Sequence, residues 1–178
     1  MKTNHGVPDP ATIKLTDHDG TPVRLADLAA DPLVVILVRY FGCLPCQAYV
    51  KDVDAARDRF DTQVKVVAVG GSADFQARWL RDNQGVRMPM LLDPDQQVRQ
   101  LAGLGNLGLH RFLSPRGAAN YVKAMRRGLR PQKITRDTIR SPGVAILGPD
   151  LGVRWTYEGK MLGDYPSLDE LIARTRNG

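Results

Sequence analysis

Val34-Val-Ile-Leu-Val-Arg-Tyr-Phe-Gly-Cys-Leu-Pro-Cys46 is the stretch on which the reading of the fold turns. Its opening run of consecutive apolar, mostly β-branched residues predicts a strand covered on both faces, as in a parallel or mixed sheet flanked by helices. Immediately after it, over residues 44–60, Tyr49, Val53, Ala56 and Phe60 recur at spacings of four, three and four, with Lys51, Asp52, Arg57 and Asp58 between them. That spacing predicts an amphipathic helix. The Gly-Cys-Leu-Pro-Cys segment therefore lies at a strand-to-helix junction.

Working outward, Val64-Lys-Val-Val-Ala-Val69 predicts a second buried strand, and Ser72 is suited to cap a following helix that carries Phe75, Trp79 and Leu80. Met90-Leu-Leu-Asp93 predicts a third strand, with a helix over about 94–101 for which Asp93 is the cap and Pro94 the first residue. Toward the N-terminus, two short alternating runs at 12–15 and 22–25 flank the turn-forming Asp17-His-Asp-Gly20, the pattern of a β-hairpin. Toward the C-terminus, Gly143-Val-Ala-Ile-Leu-Gly148 and Val153-Arg-Trp-Thr-Tyr157 predict a second hairpin, and Ser167 with Glu170 forms a capping box for a last helix. Between them the pattern loosens over residues 103–141, which read as an insertion with one helical stretch. The fold class predicted is α/β: a mixed central sheet flanked by helices in a single domain spanning 1–178.

The chain has 178 residues, 43% hydrophobic and 25% charged, so a core of ordinary size needs no disulfide or metal for stability. Its net charge of +6 is concentrated: residues 110–140 hold nine Lys or Arg against the single acid Asp137. The basicity belongs to that segment, and a nucleic-acid function is not expected of the whole protein. Ala118, Tyr121, Val122, Met125 and Leu129 share one helical face there and are expected to dock it as a cover beside the Cys-bearing end of the sheet. No apolar run approaches the length of a membrane span, and the first ten residues lack a signal-like stretch, so a cytoplasmic protein without membrane contact is expected.

Cys43 and Cys46 are the only cysteines. A zinc site is not expected, because His5, His18 and His110 have no ligand spacing, and no cofactor is called for. A Cys-x-x-Cys beside a βαβ pattern instead reads as a thioredoxin-like redox motif. Unpaired N–H groups and the helix dipole at the junction favour a thiolate. Lowering a thiol pKa from about 8.5 to about 6.5 raises the thiolate fraction at pH 7 roughly 25-fold, and lower intrinsic nucleophilicity takes back about 10-fold. Most of the advantage must then lie in positioning the second thiol. Pro45, inside the first turn, stiffens that geometry without loss of a hydrogen bond. The two cysteines are expected to form a reversible disulfide, with Cys43, nearer the helix end, as the attacking thiolate.

Those residues resemble the thioredoxin superfamily, and others narrow the likeness. Leu15-Thr-Asp-His-Asp-Gly20 with Val23-Arg-Leu25, Met88-Pro-Met-Leu-Leu-Asp-Pro94 and the Arg/Leu-rich insertion are similar to the peroxiredoxin-like branch of the alkyl hydroperoxide reductase and thiol-specific antioxidant family, over about residues 10–175. The resemblance implies a thioredoxin-like fold and a thiol-dependent antioxidant that reduces peroxides, its disulfide being reduced by an external thioredoxin-type or low-molecular-weight thiol. A protein-disulfide reductase and a non-enzymatic redox switch or binding module are the alternatives. The chain departs from the peroxiredoxin motif Pro-x-x-x-Thr-x-x-Cys. The peroxiredoxin register argues for Cys46 rather than Cys43 as the attacking thiol: with Cys46 in the peroxidatic place, Cys43 stands for the Thr and Arg39 for the Pro; with Cys43 there, Tyr40 and Ile36 do. Thioredoxin-like proteins also resemble one another in a cis-proline facing the thiols, which makes Ser141-Pro142 the expected cis bond and Pro142 a site residue. Arg39 and Arg140 are the remaining candidates, as stabilisers of a thiolate or oxyanion.

Overall fold

The computed structural model describes residues 6–177 except 72, 113 and 135–138; the expected cap Ser72 and the charged Arg136 and Asp137 lie outside them. Seven strands form one sheet: β1 (Lys14–Asp17), β2 (Pro22–Arg24), β3 (Leu33–Leu37), β4 (Lys65–Val69), β5 (Met90–Leu92), β6 (Gly143–Leu147) and β7 (Val153–Glu158), in the order β2-β1-β5-β4-β3-β6-β7. β3, β4 and β5 run parallel, β6 is antiparallel to β3, and both edges are finished by antiparallel pairs, β1 with β2 and β6 with β7. The order of the elements explains the mixture. Parallel neighbours need the crossover helices α1 (Leu44–Ala55) and α2 (Asp74–Gln84), whereas the antiparallel pair β6–β7 needs only a turn.

β3 is buried along its whole length, as its unbroken apolar run requires. Alternate residues serve two cores: Val34, Ile36 and Val38 face one, with α1 and α2, and Leu33, Val35 and Leu37 the other, with Val98 and Leu104. α1 buries Cys46, Val50 and Val53, so its inward face includes Val50, while Phe60 is buried beyond the helix end. The third helix is shorter than its sequence suggested. α3 spans Gln97–Leu101, and Asp93 caps it across a gap, its two carboxylate oxygens accepting from the N–H groups of Gln97 and Val98 at 2.9 Å each. In the last helix, α6 (Leu168–Arg176), the Ser167 hydroxyl accepts from the Glu170 N–H, as the capping pattern predicts.

The strand ends beyond the ladder shape the crevice where the cysteines sit. Gly70, at φ +154°, brings the chain so close to β3 that a Cβ there would overlap the Val38 carbonyl oxygen. The cis peptide of the described residues is Asp31–Pro32, just before β3, so the expectation of a cis Ser141–Pro142 bond is overturned. The backbone there is committed to internal partners: the Ser141 N–H donates to the Gly105 carbonyl, the Ser141 carbonyl accepts from Arg99, and the Pro142 carbonyl accepts from Gly159. These bonds hold Pro142 as the buried lead-in to β6. Among the described residues no helix is long and apolar enough to cross a membrane.

Candidate active site

Cys43 is the N-cap of α1, in extended conformation, and Cys46 lies in the helix's first turn. Both are free thiols and both are 0% exposed. Arg39, on the turn leaving β3, is itself buried and holds the pair from one side: its Nη1 donates to Cys43 Sγ at 3.5 Å and its Nε to the Arg140 carbonyl at 3.1 Å. Its guanidinium also lies over the rings of Phe112, at 4.8 Å, and Tyr40. Among the described residues no carboxylate pairs with it. A buried cation in that position favours negative charge on the thiols beside it.

The two sulfurs are not equivalent. Burial disfavours the thiolate at both, but the neighbouring Cys43 thiol, the Arg39 charge and the nearby Tyr165 hydroxyl, whose own hydrogen bond goes to the Leu37 carbonyl at 3.5 Å, together bring Cys46 down to about 6. Burial, and then the hydrogen bond to Cys46 and that sulfur's charge, push Cys43 well above the ordinary thiol range. These directions favour the thiolate at Cys46 rather than at the expected Cys43, whereas the hydrogen bond that Arg39 gives to a sulfur goes to Cys43. Position relative to the helix end favours Cys43, while the charge and polar groups that other elements bring to the pair favour Cys46.

Two groups that act on Cys46, Tyr165 and Arg99, carry no sequence signal. Tyr165, from the segment between β7 and α6, stacks on Tyr49 with ring centroids 4.2 Å apart and planes 5° apart, and burial keeps its phenol well above its ordinary value, so it stays a donor. Arg99, in α3, is buried and bridges the Val38 and Ser141 carbonyls on either side of the crevice, with its Nε on Gln96. Burial brings its guanidinium down to about 10, still charged at neutral pH, and Cys46 feels that charge. An arginine in a helix is ordinarily read as a surface residue, so its role is invisible until β3 and β6 are placed beside α3. Arg140 stands near Arg99 and donates to Asn106 Oδ1 at 3.0 Å, while its buried Nε has no partner among the described residues.

A cover closes the site. The basic segment holds α4 (Leu109–Phe112) and α5 (Pro115–Arg126), and its two ends meet where Leu107 and Ser141 bond to Ile139 and Gly105. Leu44, beside Cys43, packs with Ala124 and Leu129 against Ala48 and Tyr121. The inward face of α5 is thus Gly117, Tyr121 and Ala124; of the residues expected to dock, Ala118, Val122 and Met125 point to solvent, because the helix is rotated by about one residue, roughly 100°. Beyond α5, residues 130–134 cross the Cys loop as a strap. Gln132 N–H reaches the Gly42 carbonyl, Gln47 Nε2 the Arg130 carbonyl, and Gln76 clasps both sides, accepting from Gly42 N–H at 3.1 Å and donating to the Lys133 carbonyl at 2.7 Å. Gly42 is required by this closeness, since a Cβ would meet Gln76 Nε2 at 2.6 Å.

Gln76 is legible in hindsight as a polar residue on the Ala77 and Leu80 face of α2. Gln76→Ala is expected to raise the rate of thiol alkylation by iodoacetamide at fixed pH about 5- to 30-fold, at roughly 1 kcal/mol for each of two lost bonds. An unchanged rate would show that the strap is held elsewhere. Among the described residues no cluster of three or more His, Cys, Asp or Glu side chains exists that would hold a metal ion.

The sequence profile of the AhpC/TSA family matches residues 6–150. No curated protein is similar to the chain in sequence. Among solved structures, the chain is similar to the Xanthomonas campestris bacterioferritin comigratory protein, whose trapped intermediate and ligand complexes bear on alkyl peroxide reduction, at 14% identity over 97% of this chain and 96% of that one, with a TM-score of 0.67. It is also similar to a secreted Mycobacterium tuberculosis disulfide oxidoreductase, at 15% identity over 95% and 98% of the two chains, with a TM-score of 0.54. At these identities the likeness shows the fold, which is thioredoxin-like.

Proposed function

We propose that this chain, which belongs to the AhpC/TSA family, reduces peroxides with Cys46 as the attacking thiolate and Cys43 as the resolving thiol. Family membership makes it a thiol-dependent oxidoreductase of the peroxiredoxin-like class. The observation that carries the reading is the buried Arg39 guanidinium, which has no carboxylate partner among the described residues, donates to Cys43 Sγ and lends its charge to Cys46. In the cycle, Cys46 S⁻ attacks one peroxide oxygen, the O–O bond breaks, and the alkoxide or hydroxide leaves and takes up a proton. The Cys46 sulfenic acid then condenses with the Cys43 thiol, releasing water and forming the disulfide, which an external thiol reduces.

In this reading Arg39 orients the peroxide oxygen that becomes the leaving group, Arg140 lends positive charge with its unpartnered Nε, and Pro142 closes the wall by β6. A protein-disulfide substrate is the second reading. Two sulfurs with no exposure beneath a strap favour a small substrate over a protein one. The cycle also needs a compartment that supplies reducing thiols, and we place the protein in the cytoplasm on that ground. Stopped-flow mixing of the reduced protein with hydrogen peroxide or an organic hydroperoxide is expected to consume one equivalent and give a product about two hydrogens lighter. Thiols that survive both peroxides while reducing a protein disulfide would replace this reading with the second one.

A further inference from the structure

The outer face of the cover has no role in the cycle above. On α5, Ala118, Val122 and Met125, at spacings of four and three, form an apolar stripe facing solvent, with Val122 48% and Met125 56% exposed, and on the strap Ile134 is 69% exposed. Around them Arg116, Lys123, Arg126, Arg130 and Lys133 are exposed and have no ion-pair partner among the described residues; Arg127 alone is paired, to Asp52. No acid occurs between residues 110 and 134. This surface lies over the two thiols, and a reductant must pass it to reach the disulfide.

We propose that the outer face of α5 and the strap is the docking surface for the reductant of the Cys43–Cys46 disulfide, and that this reductant is a dithiol protein with an acidic surface around its thiols. The inference rests on the reading of the pair as a redox-cycling dithiol. A row of unpaired cations raises the local concentration of an anionic partner, and the apolar stripe gives it area to bury once docked. Docking on the segment that covers the thiols engages the strap whose bonds must open. Cys43 is the sulfur on that side, next to Leu44, which packs on Ala124. The reductant's thiolate attacks Cys43 Sγ, the Cys43–Cys46 bond breaks, and Cys46 leaves as its thiolate. The reductant's second thiol then attacks the mixed disulfide, so that two electrons pass, the reductant ends as a disulfide, and Cys43 is released as a thiol.

The test uses the full-length protein oxidised with diamide, so it is independent of peroxide reduction. Two Cys-x-x-Cys dithiol peptides, one flanked by glutamates and one by lysines, are compared as reductants, each rate normalised to that peptide's rate with a neutral small disulfide. The acidic peptide is expected to be favoured at least 10-fold at low ionic strength, the preference closing toward one at 0.5 M salt. In the triple variant Lys123→Glu, Arg126→Glu, Arg130→Glu the preference should vanish or invert while reduction by dithiothreitol is unchanged. A normalised ratio near one in the unmodified protein, or a preference that survives the triple variant, overturns the proposal. Peroxide inertness with the charge preference intact would sink the peroxidase reading and leave this surface standing.

Discussion

Cys46→Ser is expected to lower the rate of peroxide consumption by at least about 1,000-fold, to the background of the remaining thiol, while Cys43→Ser retains one rapid turnover and then stops. The asymmetry follows from the donors around each sulfur. The Cys43 thiol, Arg39 and the nearby Tyr165 hydroxyl bring Cys46 down to about 6, which favours its thiolate at neutral pH, whereas burial and the neighbouring sulfur push Cys43 up. In Cys43→Ser the resolving thiol is gone, so the Cys46 sulfenic acid should accumulate, about 16 mass units heavier and trappable by a dimedone-type reagent. A sulfenic acid that forms instead on Cys43 in Cys46→Ser, at an undiminished rate, would restore Cys43 as the attacking residue. In Cys43→Ser the serine hydroxyl still stands beside Cys46 as a donor, so the loss of turnover in that variant cannot be ascribed to a lost hydrogen bond.

Arg39→Met is expected to be the next most severe change, lowering the rate with peroxide about 100-fold at pH 7. Two effects combine. The positive charge favours the thiolate, so its removal raises the Cys46 pKa from about 6 by roughly 1–2 units, and the guanidinium is lost as a donor to the departing oxygen. The pH profile separates them: the first effect disappears above the new midpoint, and the second persists at every pH. A profile that keeps its midpoint near pH 6 would remove Arg39 from the account. Stability should move differently. A buried guanidinium without a carboxylate opposes folding, so the methionine variant, which fills the space without charge, is expected to unfold at the same temperature or higher.

Linkage gives the sign for the unmodified reduced protein. The folded-state pKa of Cys46 lies below that of a free thiol, so its contribution to stability is full above about pH 9 and is lost as the pH falls through about 6. Arg39→Met should flatten that dependence. Thermal unfolding of the reduced protein between pH 5.5 and 9 measures it directly.

Much of this was written in local pattern. The apolar run over residues 34–38 could only be a strand buried on both faces, and its alternation between two cores follows from its composition. The Ser167 and Asp93 caps and the Cys-x-x-Cys at a helix start were likewise decided by side chains that act within a few residues of themselves. Properties set by groups distant in sequence were not legible. The rotation of α5 depended on which small residues, Gly117 and Ala124, allow close approach to α1 and its surroundings, and a stripe of larger apolar residues on another face pointed the wrong way. The path through Ser141 and Pro142 was decided by Arg99, Gly105 and Gly159, none of them neighbours in the chain.

The sequence by itself determined that two thiols would stand three residues apart at the start of a helix fed by a central strand, because strand and helix periodicity and the place of a proline in a first turn are local matters. Only the tertiary structure decided which charges and polar groups surround each thiol and what covers the pair. A thiol's ionisation depends on the charges and polar groups around its sulfur, and here those come from the turn after β3, from α3 and from the segment after β7, brought together by the packing of the sheet.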